Sequence, residues 1–191
     1  MPMLKPHLEV NVGGMFASKS TALLAQGKRH LLAGHKVLFI KPDIDNRYSE
    51  DEIVTHDGEK VEAIKLDTKA GIMGLDKFIK LHEADVLLFD EIQFFDLDIV
   101  TDIKFFLELG KAIYVSGLDM DYKGEPFNVT AYLMAIADKV NKLQAVCSEC
   151  GDDSYITAKT SGTDARVELG SKDIYKPLCR TCNYKLLGVS E

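Results

Sequence analysis

No apolar run in this 191-residue chain reaches the roughly 18 residues a membrane span needs. The first residues, MPMLKPHLEV, lack a basic stretch followed by a long apolar one, so no secretory signal is expected. Positive charge is not in excess: 23 Lys and Arg stand against 30 Asp and Glu, a net charge of −7. That balance argues against broad, sequence-blind binding to nucleic acid. It leaves room for a phosphate ligand, which needs only local positive potential. There is no internal repeat and no low-complexity tract. Cysteine is scarce, with four residues in two C-x-x-C pairs. Without a secretory signal, a cytoplasmic location is expected, and the cysteines read as metal ligands rather than a disulfide framework. At 46% hydrophobic residues the chain can still fill a sizeable core, enough for one domain or one domain with a small appendage.

Leu8 to Val12 reads as a strand that stops at Gly13-Gly14, and residues 19–33 read as a helix ended by Gly34. Ser20, Ala22, Leu23, Leu24, Leu31 and Leu32 form its expected apolar side. Val37 to Ile40, Val86 to Phe89 and Ala112 to Val115 are short continuous apolar runs, as buried parallel strands are. Residues 43–62 predict a long loop or a small hairpin. Leu75, Phe78, Ile79 and His82 fall on one helical face. So do Ile99, Val100, Ile103, Phe106 and Leu107 before Gly110, and Tyr132, Leu133, Ile136 and Ala137. Leu143 to Val146 is expected to be the last strand. The alternation of strands and helices predicts an α/β domain around a mainly parallel sheet. Beyond residue 146 the composition changes, with all the cysteines and little helical periodicity, so residues 1–146 and 147–191 are expected to be separate units.

Residues 13–20, GGMFASKS, almost fit G-x-x-x-x-G-K-[ST], a loop between strand and helix that points backbone N–H groups at an anion. Lys19 would reach the β- and γ-phosphates of a nucleotide, and Ser20 would ligate Mg²⁺. Ser18 stands where the motif has its second glycine. Because it directly precedes the helix, its backbone is expected to be helical, where a side chain is tolerated. Asp90-Glu91 closes the apolar strand Val86 to Phe89, which delivers acids to the phosphate site. Asp90 would hold Mg²⁺ directly or through water, and Glu91 could take a proton from an attacking hydroxyl. Cys147-x-x-Cys150 and Cys179-x-x-Cys182 bring four thiolates to one tetrahedral Zn²⁺. Such a site is structural, since no coordination position stays open.

These blocks together resemble the type II, zinc-containing thymidine kinase family over nearly the whole chain. The family's G-P-M-F-S-G-K-S-T is matched by residues 13–21, and its K-P-x-x-D-x-R-Y by Lys41 to Tyr48. Its S-H-D-G is matched by Thr55 to Gly58, and its D-E-x-Q-F-F by Asp90 to Phe95. Its G-L-D-x-D-F-x-G-x-P-F is matched by Gly117 to Phe127, with Tyr122 for phenylalanine. Its K-Y-x-x-x-C-R-x-C-Y is matched by Ile174 to Asn183, with Ile174 for lysine and Asn183 for tyrosine. In the segment between the cysteine pairs, the family's V-x-I-G-G is Val167 to Ser171, with one glycine lost, and Lys159 stands where the family has an arginine.

The resemblance implies a P-loop NTPase (RecA-like) α/β fold with a small C-terminal zinc-binding "lasso", a homotetramer, and no nucleic-acid or membrane partner. It implies transfer of the γ-phosphoryl group of ATP to the 5′-hydroxyl of thymidine, with Mg²⁺ and a structural Zn²⁺. Glu91 would be the catalytic base. Gly13, Gly14, Met15, Phe16, Ala17, Ser18, Lys19 and Ser20 would bind the triphosphate, with Asp45, Arg47, Asp90 and Gln93 beside them. The lasso would fold over the nucleoside. Met15, Phe94, Leu118, Tyr122, Phe127, Thr157, Gly170 and Tyr175 would line its pocket. Phe95 and Phe105 read as ordinary core, and His56 as a polar turn residue. Two other readings fit the residues: a P-loop kinase for another deoxynucleoside, and a non-catalytic zinc-ribbon nucleotide-binding protein.

Overall fold

The computed structural model describes residues 4–44, 52–54, 58–69, 75–161, 163, 165–166 and 174–189. In chain order the elements begin β1 (His7–Val12), α1 (Lys19–Leu32), β2 (Val37–Pro42), β3 (Glu52–Val54), β4 (Lys60–Glu62) and β5 (Ile64–Leu66). Next come α2 (Leu75–Glu83), β6 (Val86–Phe89), a 3-10 turn at Ile92–Phe94, α3 (Asp98–Glu108), β7 (Ala112–Gly117) and α4 (Asn128–Ile136). The chain continues through β8 (Lys139–Lys142), β9 (Ala145–Val146), β10 (Asp153–Ser154), β11 (Ile156–Lys159), β12 (Tyr175–Leu178) and α5 (Arg180–Leu186).

Six strands form one sheet in the order β5-β2-β6-β7-β1-β8, and every neighbouring pair is parallel. Side chains alternate across its pleat. Leu8, Val10, Val12, Ile40, Leu87, Phe89, Ile113 and Val115 face one core with Leu81, Ile99, Val100, Ile103, Phe106, Val129 and Leu133 of α2, α3 and α4. Phe39, Val86, Leu88, Ala112 and Tyr114 face the other, with Leu23 and Leu24 of α1. The layers are thus helix, sheet, helix. The C-terminal strand ends gather the glycine turn after β1 and the acids after β6, with β7 between them. Residues 43–62 contain the hairpin β3–β4, paired antiparallel.

Several local expectations are corrected. Leu31 and Leu32 of α1 are exposed, Leu32 at 89%, because the helix runs past the sheet before Gly34 turns it; Leu23, Leu24 and Gly27 are its buried face. In α2, Leu81 is buried while Ile79 and His82 are exposed, so the packed face is rotated from the one that periodicity suggested. Tyr132 and Ile136 of α4 also face outward, beside buried Leu133. Phe105 is not core but 42% exposed, against Phe78 and Phe106, whereas Phe95 is buried. The closing strand of the sheet is β8, not residues 143–146. Its sequence KVNK is mostly exposed, and an edge strand in contact with water needs no apolar run. Ala145 and Val146 pair instead with β10. The cysteine segment also holds a helix, α5, which periodicity did not signal.

Candidate active site

The turn after β1 is built by close approach. The φ of Gly13 is 148°, and a Cβ on it would run into the carbonyl of Leu143, whose own amide donates to Val12 at 2.7 Å. Phe16 and Ser18 follow with φ of 69° and 56°. Ser18 therefore does not have the helical backbone expected of it. It sits left-handed, where a residue with a Cβ costs about 1–2 kcal/mol, and its side chain makes no capping hydrogen bond. Its carbonyl accepts from Ala22 at 3.0 Å, so α1 starts there. Lys19 turns its Nζ back to the Gly14 carbonyl at 2.7 Å. The glycine turn, with its N–H groups at a helix N-terminus and a lysine folded over it, is an anion cradle.

Asp90 meets this turn from across the sheet. The Ser20 hydroxyl donates to its Oδ2 at 2.9 Å, and the Ser116 hydroxyl of β7 donates to its Oδ1. The Glu91 amide also donates to Oδ1, at 3.0 Å. Ser116 is fully buried and fills the place between β1 and β6 that β7 creates. Burial raises the Asp90 pKa to about 6, the neighbouring charge of Glu91 adds to the rise, and the three donors oppose it. A hydroxyl and a buried carboxylate sharing one spot make an oxygen donor set of the kind Mg²⁺ takes. A cation there would offset the burial that holds the proton on Asp90.

Glu91 has a φ of 52°, so the chain leaves β6 in a left-handed kink that breaks strand alternation. Its carboxylate accepts from the Gln93 amide. The Gln93 Oε1 in turn accepts from the Leu118 amide at 3.0 Å. Gly117 makes room for this link, since a Cβ there would lie 2.7 Å from Gln93 Oε1 and from Ile92 Cγ2. Phe16, Ser18 and Glu91 are the non-glycine residues with positive φ among the described residues. All three lie at this one end of the sheet, where strain of about 1–3 kcal/mol per residue marks functional geometry.

The four cysteine Sγ atoms all lie within 4.8 Å of one another, and Cys150 Sγ is 3.7 Å from Cys179 Sγ. A zinc tetrahedron with bonds of about 2.3 Å has edges near 3.8 Å, so the residues fit the ion. Cys179 also caps α5, its sulfur accepting from the Cys182 amide at 3.4 Å. Backbone donors, that of Cys179 foremost, lower the Cys147 pKa to about 6, while the crowded neighbouring thiols push Cys182 up to about 12; a metal would relieve that crowding.

A model of the thymidine kinase family matches residues 6–183. This chain belongs to the thymidine kinase family. A curated thymidine kinase from Bacteroides thetaiotaomicron is 38% identical to it over 182 residues, covering 95% of this chain and 89% of that protein. Solved structures overlap the kinase less fully. AMPPCP-bound DnaA from Aquifex aeolicus gives a TM-score of 0.45 at 13% identity, over 74% of this chain and 41% of that one. DnaA bound to AMPPCP and single-stranded DNA gives 0.43 at 17% identity, over 73% and 41%. The kinase spans under half of those chains, and overlap at this level says nothing of its chemistry. No helix among the described residues is long and apolar enough to cross a membrane.

Of the residues named from the sequence, the kinase brings Gly13 to Ser20, Asp90, Glu91, Gln93 and Leu118 to one end of its sheet. Gln93, expected beside the nucleotide, bonds to Glu91. Thr157 is buried, and its Oγ1 accepts from the Met15 amide at 2.8 Å, tying the cysteine segment to the glycine turn. Tyr122 and Tyr175 flank the Lys159 ammonium at 5.0 and 5.7 Å. Phe127 and Tyr175 are buried, and Met15 and Phe94 are half-buried. Asp45, Arg47, His56 and Gly170 lie outside the described residues. Sequence reasoning passed over Ser116 and Arg166. A serine ending an apolar strand at the depth of Asp90 was the available signal for the first, and nothing local marked the second.

Proposed function

We propose that this kinase transfers the γ-phosphoryl group of ATP to the 5′-hydroxyl of thymidine, giving dTMP and ADP. What carries the reading is the pairing of Ser20 with Asp90, which puts the anion cradle and the acids of β6 within one hydrogen bond of each other. Phosphoryl transfer needs positioning and charge neutralisation more than covalent help. Gly13 to Ser20 bind the triphosphate, through backbone N–H groups other than that of Met15, which Thr157 holds, and Lys19 swings from the Gly14 carbonyl to the phosphates. Asp45 and Arg47, by the family's K-P-x-x-D-x-R-Y block, would serve the phosphates and the metal. Ser20 and Asp90 hold Mg²⁺, which when bound neutralises phosphate charge. Glu91, held by Gln93, takes the proton of the 5′-hydroxyl as that oxygen attacks the γ-phosphorus and the bond to the β,γ-bridging oxygen breaks.

Met15, Phe94, Leu118, Tyr122, Phe127, Thr157, Gly170 and Tyr175 wall the nucleoside base. The chain divides into a kinase unit, 1–146, and a lasso, 147–191, whose Zn²⁺ on Cys147, Cys150, Cys179 and Cys182 is structural. The kinase works as a cytoplasmic homotetramer without nucleic-acid or membrane partners. The test is incubation with ATP, Mg²⁺ and each nucleoside in turn, with separation of the products. Formation of dTMP from thymidine is expected. A monophosphate from another nucleoside alone would reassign the substrate, and none from any would defeat the reading.

A further inference from the structure

Arg166 belongs to no motif of the chain, yet its guanidinium is engaged by a carboxylate, two carbonyls and a ring. Its Nε donates to Asp121 Oδ2 at 2.8 Å. Its Nη2 donates to the Pro126 carbonyl at 2.8 Å, with a longer contact to the Glu125 carbonyl at 3.5 Å. Its plane lies over the Phe127 ring, 4.7 Å from the centroid. The Asp121 side chain is only 2% exposed. Its other oxygen is already committed to the amides of Lys123 at 2.9 Å and Glu125 at 3.0 Å. The acceptor is therefore fixed before the arginine reaches it. Lys159 gathers the same stretch from the other side, donating to the carbonyls of Thr163 and Ala165.

An exposed ion pair alone contributes little. Here a dry carboxylate, a carbonyl and a ring face are engaged by one planar fork, the combination that lysine cannot reproduce. We propose that Arg166 is a positioning residue for the nucleoside. It clasps residues 165–166 to the 121–127 loop, which holds Tyr122 and Phe127 in place for thymidine. The inference rests on the proposed reading that these rings wall the nucleoside pocket. The clasp touches neither the phosphates nor Glu91. Its loss therefore weakens nucleoside binding and leaves the nucleotide and the chemical step alone.

The test is steady-state kinetics of Arg166→Gln, Arg166→Lys and Asp121→Asn, with zinc content and melting temperature measured on each. Asp121→Asn is a selective break, because the amide keeps one oxygen for the turn and offers Arg166 an NH₂ instead of an acceptor. The expected result is a KM for thymidine raised about tenfold in Arg166→Gln and Asp121→Asn. The ATP KM and the kcat at saturating thymidine stay within about twofold of the parent. Arg166→Lys falls nearer to Gln than to the parent, and the double variant Arg166→Gln/Asp121→Asn costs no more than either alone. Unchanged thymidine KM in active variants overturns the clasp and leaves the proposed function intact. A joint fall of kcat, both affinities and zinc content also overturns it, showing a merely structural role. A parent protein that turns over ATP with another nucleoside but not thymidine defeats the functional reading itself, and with it the clasp.

Discussion

Nineteen buried side chains fill the core on one face of the parallel sheet and nine more the other, among the described residues. Beyond residue 146 the buried cluster consists of Cys147, Ala158 and Leu178. The sheet is held by apolar burial, at about 25 cal/mol per Å² removed from water. The cysteine segment, with two-stranded pairs and a seven-residue helix, lacks that source and depends on four sulfurs brought to one point. The contrast shows how one chain divides labour. The anion cradle and the acids stand on a rigid scaffold, while the cysteine segment is fastened by a few discrete ties.

Removing the metal attacks this contrast hardest, since structural zinc supplies about 10–16 kcal/mol of apparent binding free energy in small domains. Chelation, or Cys179→Ser, should release residues 147–189 to proteolysis and rapid hydrogen exchange while the sheet stays protected. Thymidine affinity should fall far more than ATP affinity. Freshly purified protein should carry one Zn²⁺ per chain, and metal analysis finding none would end the comparison.

Within the sheet, Glu91→Gln should lower kcat by about 10²–10⁴, the share of general-base catalysis, with ATP affinity largely kept. A variant with unchanged kcat removes Glu91 from its role.

Asp90→Asn sharpens the comparison by separating function from stability. The Asp90 pKa in the fold, about 6, lies above its ordinary 3.8. The native state therefore holds the proton more tightly, and its stability falls as pH rises from about 4 through 6. Without added Mg²⁺, above pH 6, the asparagine variant should be more stable than the parent, by up to about 3 kcal/mol, although inactive. Below pH 4 the difference should vanish. Melting curves across that range that run parallel would contradict the assigned burial cost.

The smallest effect belongs to Ser18→Gly. Relief of the left-handed backbone should stabilise by about 1 kcal/mol, raising Tm by about 2–4 °C. The kcat/KM for ATP should change less than about tenfold. A parent that is inert and is rescued a hundredfold by glycine would mean that the serine disables the cradle.

The sheet was legible because parallel strands buried on both faces leave continuous apolar runs such as Val86 to Phe89 and Ala112 to Val115. The edge β8 was not, because a strand with one free flank carries no such mark. Its neighbour Leu143 to Val146, more apolar, drew the assignment. The helix faces were legible where a helix lies flat on the sheet, as in Ile99, Val100, Ile103 and Phe106. They were misread where the helix overhangs, at Leu31 and Leu32. In the site, Lys19, Ser20, Asp90 and the cysteines could be named because their chemistry depends on spacing along the chain. Ser18's backbone could not, since adjacency to a helix does not fix φ. Ser116 and Arg166 find their partners 26 and 45 residues away, which only the fold reveals.

The hydrogen bond from the Met15 amide to Thr157 joins the two regions at the phosphate end. An amide of the glycine turn is thereby spoken for by a side chain of the cysteine segment. Donor and acceptor sites so tied form one thermodynamic system. On the proposed reading of Thr157 as part of the nucleoside pocket, free energy that nucleoside binding put into seating residue 157 would return, by reciprocity, as an equal change in nucleotide affinity.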